Sequence, residues 1–190
     1  IQPPSQLSLE EIDRNMRYIT TQIVEKSDKI IYFSKEEQSD GERHLVEDKE
    51  NSEYYRSILG FTANGDCAIQ DFYSENDKKQ IDMVIVRRTE CESWKARPFD
   101  GMGVWYDKDG KVNVKDIVWL KQGVFSAMLS SFENGNYRYI ERFRPNAVRS
   151  TWFLAGTGQK VDNASITPVN VCEYDEEKRQ IERFLNFTNE

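Results

Sequence analysis

Histidine is almost missing from this chain: one residue, His44, in 190. A lone histidine in a charged stretch removes Ser-His-Asp and Cys-His catalysis and the usual histidine-rich metal triads, so His44 is read as a solvated surface residue. Cysteine is scarce too, with Cys67, Cys91 and Cys172. No C-x-x-C or Cys/His cluster accompanies them, and no metal site is expected. Buried free thiols are the default for all three. The spacing of Cys67 and Cys91, one turn-period, leaves a bond between adjacent hairpins open. No apolar run approaches the ~20 residues that span a bilayer as a helix. Basic clusters are short as well. With a net charge of −7, the chain repels a phosphate backbone, and no nucleic-acid partner is expected.

Other absences narrow the chemistry further. Gly156-Thr157-Gly158-Gln159-Lys160 lacks the spacing and the following Ser/Thr of a phosphate loop, and no cofactor is expected. Asp107-Lys108-Asp109-Gly110 begins like a calcium loop but has no glutamate at the required distance, so it reads as a hairpin turn. Asp71, Asp82 and Glu90 invite an acid/base pair. Among 33 acids such coincidences are inevitable, and all three are assigned to solvated surface. Asn163-Ala164-Ser165 and Asn186-Phe187-Thr188 fit glycosylation acceptors, a pattern short enough to arise by chance.

What the chain does have is turns. Asp40-Gly41, Asn64-Gly65, Asp109-Gly110, Asn134-Gly135 and Thr157-Gly158 recur at near-even intervals, with one double step around Arg88. Asn-Gly and Asp-Gly tolerate the positive φ that a two-residue hairpin demands. The fold class is therefore α+β and mainly antiparallel β: a meander of hairpins with an N-terminal amphipathic helix and a short C-terminal helix. The helix starts at Ser8, an N-cap with Glu11 completing a capping box. Its stripe is Leu9, Ile12, Met16, Ile19 and Ile23.

Strand composition follows at 29–33, then a charged stretch over 35–53 in which His44-Leu45-Val46 forms a short return strand. Three antiparallel strands are expected at 54–61, 67–73 and 79–86, and further ones around 103–106, 111–120, 124–132, 137–143 and 150–154. One domain over 1–190 is expected. It comprises a lead and helix (1–28), a front β section (29–88), a hairpin section (99–160) and a C-terminal strand and helix (161–190). The irregular link over 88–100, with Cys91, Trp94 and Pro98 where a turn is due, marks a junction at which a cleft is expected.

Gly103-Val104-Trp105-Tyr106-Asp107-Lys108-Asp109-Gly110-Lys111-Val112 resembles the unit of the MORN-variant, YwqK-like repeat proteins of bacteria, in which an aromatic strand runs into an Asn/Asp-Gly-Lys turn. Degraded units surround Gly135 and Gly158. Tyr54-Tyr55-Arg56, Thr62-Ala63-Asn64-Gly65, Gln70-Asp71-Phe72-Tyr73 and Lys79-Gln80 look like the front section of bacterial proteins carrying such repeats. The resemblance implies open hairpin sheets, no enzyme activity and no catalytic residue. It also implies an envelope-associated or an antitoxin- or immunity-like role.

The expected function is non-catalytic binding of a protein partner. The binding face drawn from the residues is Trp105, Tyr137, Tyr139, Arg142, Arg144 and Trp152, because Trp, Tyr and Arg dominate interface hot spots. Arg138 and Arg149 extend the same pattern. The polar, proline-bearing lead from Ile1 favours an exported, periplasmic or envelope-associated protein; a cytoplasmic protein neutralising a toxin is the alternative, and a ligand carrier or enzyme with an unrecognised site is the third reading.

Overall fold

A computed structural model describes residues 9–110, 112–131, 137–144, 147–153 and 171–173, with side chains for 10–110, 117–124, 126 and 127. The chain divides into two compact units: the described residues of Leu7–Asn113 with Trp119–Val124 form one, those of Val114–Val118 and Phe125–Glu190 the other.

The first unit opens with α1 (Leu9–Gln22), whose first turn carries Glu10 and Glu11, acids that complement the helix dipole. Ser8 and the capping box it would form lie outside the described residues. The buried stripe is narrower than the sequence suggests. Ile12 and Ile19 point inward, Met16 is exposed, and Ile23 already begins β1 (Ile23–Ser34). A polar residue, Asn15, takes the middle of the buried face.

Beyond β1 come β2 (Leu45–Val46), β3 (Ser52–Thr62), β4 (Cys67–Tyr73), β5 (Lys79–Val86) and β6 (Pro98–Tyr106). All pair antiparallel in the spatial order β2, β1, β3, β4, β5, β6. Successive side chains alternate faces, so the sheet has two apolar sides. On one side Ala68, Met83 and Ile85 pack against Ile19 of α1. On the other Phe33, Ile58, Cys67, Ile69, Ile81, Val84 and Val86 form the larger core.

Irregular pairing is where the polar residues enter. Between Ile81 and Ile85 the β5–β6 ladder slips, and Asn15 bridges the gap from the helix. Its amide nitrogen donates to the Met83 carbonyl at 2.8 Å and its oxygen accepts from the Met102 amide at 2.9 Å. Gly101 beside it has φ +104, and a Cβ there would meet Ile19 Cδ1 at 2.7 Å. Gly60 faces a harder limit, because a Cβ would stand 2.5 Å from the Glu25 carbonyl oxygen and from Ile23 Cγ2. Gly60→Ala must displace β1, and a loss of about 1–3 kcal/mol is expected, read as a lower urea midpoint at unchanged slope.

The turn ladder is confirmed at Gly41, Gly65 and Gly110, all at positive φ; Gly135 and Gly158 lie outside the described residues. One hairpin escaped it. Between β7 (Val112–Lys121) and β8 (Val124–Ser131) the turn is Gln122-Gly123, with φ +49 and +79. Gln122 is an unusual residue for that conformation. Its side chain is held there by donating to Asp100 Oδ2 at 2.6 Å.

In the second unit β8, β9 (Tyr137–Arg144), β10 (Ala147–Phe153) and β11 (Val171–Glu173) pair antiparallel in that order. The C-terminal helix expected after 173 and both glycosylation patterns lie outside the described residues. Helix and sheet together make an α+β fold that is mainly antiparallel β, a meander of hairpins.

Candidate functional site

The link over residues 88–97 crosses the larger apolar face of the front sheet. It starts as a 3-10 turn, Arg88–Glu90, and continues in tight turns in which the Ser93 amide donates to the Glu90 carbonyl and the Ala96 amide to that of Ser93. Such a segment has no ladder of its own and must be held by side chains.

Three attachments hold it. Cys67 of β4 is disulfide-bonded to Cys91, with Cα atoms 5.8 Å apart; the default expectation of free thiols is thus corrected for this pair. The alternative left open by their spacing of one turn-period is the one found, and both cysteines reach the same buried face. The second attachment is Arg56 of β3, only 1% exposed. Its Nε and Nη2 donate to the two carboxylate oxygens of Asp71 at 2.8 and 2.9 Å, and Nη1 donates to the carbonyls of Cys91 and Ser93 at 3.0 and 2.8 Å. The third is Glu42, which accepts from the Ser93 hydroxyl and the Trp94 amide at 2.5 and 2.7 Å. Burial works to raise the Glu42 carboxyl; the Ser93 hydroxyl and the amides of Arg43, Trp94 and Lys95 outweigh it and hold the group below the usual carboxylate range.

Trp94 completes the closure. Its ring stacks on Tyr54 at 4.1 Å between centroids and tilts against Phe33 at 5.4 Å, while the Arg43 guanidinium lies over both Tyr54 and Trp94. Under the link remains a cavity of about 180 Å³, lined by Arg56, Asp71, Gln80, Trp94, Trp105 and neighbouring aliphatics. It is smaller than the ~300–1,000 Å³ of pockets for drug-sized ligands. Trp105, opposite Ile81 in the ladder, is the one member of the expected binding face found here.

No protein-family model matches this chain, and neither does any curated protein or solved structure. Function must therefore be argued from these residues.

The remaining expected site residues sit on β9 and β10 of the second unit, described in backbone only. Trp152 is paired with Arg138, and Tyr139 with Thr151. Alternation along β9 puts Tyr137 and Tyr139 at one parity and Arg142 and Arg144 at the other.

Two of the three singled-out carboxylates are not solvated surface, which corrects that expectation. Asp71 is sealed by Arg56. Asp82, fully buried, accepts from the Tyr106 hydroxyl at 2.7 Å and from the Met83 amide at 3.2 Å, with Lys79 at 3.5 Å. Tyr73 in turn donates to the Tyr106 carbonyl at 2.6 Å. On the helix side Asp100, also buried, accepts from the Tyr18 hydroxyl at 2.8 Å. Glu90 keeps one exposed partner, Arg97 at 4.0 Å. Among the described residues no cluster of three or more His, Cys, Asp or Glu is placed to hold a metal ion.

These phenols share a pH signature. Burial, then the hydrogen bond to Asp100, pushes Tyr18 up to about 12; burial and Asp77 do the same to Tyr55. Burial, joined by Asp82, raises Tyr106, and burial raises Tyr54 and Tyr73. Unfolded phenols titrate near 10. Above that pH the folded state holds more protons than the unfolded one, so this stabilisation is complete below pH ~10 and declines as pH rises toward ~12. The share of the tyrosinate absorbance that belongs to Tyr18, Tyr54, Tyr55, Tyr73 and Tyr106 is expected to appear only above pH ~10, together with loss of the sheet signal. Development of the full absorbance of all nine tyrosines around pH ~10 with the sheet intact would contradict the buried network.

Proposed function

We propose that this chain is a non-catalytic binding protein of a bacterial envelope, acting on a protein partner. The observation that carries the reading is the buried Cys67–Cys91 bond, because structural disulfides belong to oxidising compartments and are rare where thiols are kept reduced. The non-catalytic part is supported by the fate of the acids: Asp71, Asp82 and Asp100 are each committed to a hydrogen-bond partner inside the fold. The likeness of residues 103–112 to MORN-variant repeats supports the same role. Partner contacts are assigned to two places, Trp105 in the first unit and Tyr137, Tyr139, Arg142, Arg144 and Trp152 in the second. Among the described residues no helix is long and apolar enough to cross a membrane.

The test is thiol trapping in the native cell. Acid quenching followed by alkylation is expected to recover the protein in the envelope fraction with Cys67 and Cys91 protected. Recovery from the cytoplasm with both thiols alkylated overturns the envelope reading. It would turn attention to an immunity-like protein whose charge of −7 complements a basic toxin.

A further inference from the structure

Strand β1 pairs with β3 along its inner side from Ile23 to Ser34, whereas β2 covers its outer side only at Tyr32 and Phe33. Among the described residues nothing pairs the outer edge of residues 23–31. Two apolar side chains on this stretch are open to solvent, Val24 at 70% and Ile30 at 47% exposure. An open edge is a template for another strand.

The order of residues along that edge names the strand. It reads Ile23-Val24-Glu25-Lys26-Ser27-Asp28-Lys29-Ile30-Ile31, and the pattern of apolar, charged and polar residues is complementary to its own reverse. Turned about a two-fold axis at Ser27, Val24 meets Ile30, Glu25 meets Lys29 and Lys26 meets Asp28. Each contact occurs twice by symmetry, and each is apolar with apolar or acid with base, the pairs that stabilise neighbouring strands. Slipping by one residue destroys this. In one direction Lys26 faces Lys29 and Glu25 faces Ile30; in the other Glu25 faces Asp28 and Val24 faces Lys29.

The pairing irregularity between Lys26 and Lys29, where the Lys29 amide donates to the Ser27 hydroxyl at 3.1 Å, falls at the axis. Both copies carry it at the same point, so the pairs next to it stay in step; a second irregularity, between Ile23 and Glu25, ends the register there, with Ile23 on the helix side of the sheet and Ile31 on the other. Lys29 also reaches Glu92 of its own chain at 2.9 Å, an exposed contact of little energetic weight.

We infer that the outer edge of β1 is a self-association site, at which a second copy of this chain docks antiparallel in the register centred on Ser27. The isologous geometry is the one a two-fold dimer requires. One strand pair is a small contact beside the ~1,600 Å² of standard interfaces, so the dimer is weak and concentration-dependent. This surface is separate from the partner-binding residues assigned above, and either assignment stands without the other.

Sedimentation velocity over a concentration series tests it. Wild type is expected to pass from monomer to dimer. Glu25→Lys alone and Lys29→Glu alone each turn two attractive pairs into like-charged ones, weakening association by about tenfold or more. An equimolar mixture of the two variants, and the double variant E25K/K29E, restore opposite charges at every pair and are expected to regain dimerisation. Both positions are exposed, and thermal melts verify that each variant is folded. A wild type monomeric up to ~1 mM, single variants that associate as well as wild type, or a mixture that fails to recover each overturns the assignment.

Discussion

Replacing Arg56 by methionine is expected to destabilise the first unit by about 3–5 kcal/mol, because it leaves the Asp71 carboxylate buried without its counter-charge. Asp71 is 3% exposed, and both its oxygens are taken by the same guanidinium. Two carbonyls of the link, those of Cys91 and Ser93, lose their donor in the same step. Contact of the guanidinium with the Phe33 ring, 4.9 Å from its centroid, is lost as well. The discriminating variant is Arg56→Met with Asp71→Leu. Removing both charges abolishes the unpaired carboxylate, so the double variant is expected to regain most of the loss; urea denaturation of the four proteins gives the coupling. Equal losses in the single and double variants would show that Arg56 acts through the link carbonyls alone.

Removing the disulfide, as Cys67→Ser with Cys91→Ser, is expected to cost about 3 kcal/mol. A cross-link closing a loop of 24 residues restricts the unfolded chain by roughly that amount in the chain-entropy account. The native link keeps its other two attachments, from Arg56 and Glu42, so it should remain in place at neutral pH. Because both variants act on the same segment, their effects are expected to be non-additive. With the bond gone, Arg56→Met should release residues 88–97 altogether. Limited proteolysis between Arg88 and Arg97 would report that release, with cleavage in the combined variant and protection in the serine variant alone.

The architecture was legible wherever pattern is local. Positive φ at Gly65 and Gly110 follows from Asn-Gly and Asp-Gly, and the strands between those turns follow with them. Gln122-Gly123 was not legible as such a turn, because what stabilises Gln122 is a distant carboxylate, Asp100, rather than turn chemistry. The link was located as an irregularity between two regular stretches, and the cavity lies beneath it. Its ionic fastening was missed, although a signal existed. Arg56 lies in step with Tyr54 and Ile58, and Asp71 with Cys67, Ile69 and Tyr73, so each charge occupies an inward position of its strand. The two are register partners. Opposite charges at inward positions of consecutive strands announce a buried pair, which counting acids across the whole chain concealed. Asn15 hid in the same way, a polar residue on an apolar stripe whose partners are strand groups left over by a slipped ladder.

The anchoring of α1 also sets an order of events during synthesis. The strands of the meander pair with sequence neighbours and can form as they appear, but Asn15 bonds to groups 68 and 87 residues further along. At translation rates of about 5–20 residues per second, the helix is made several seconds before Met102 exists to receive it. Until β4 and β5 have followed, Ile19 has no sheet to cover it. The helix is thus seated on strands made after it, and its anchor closes only once Met102 has appeared.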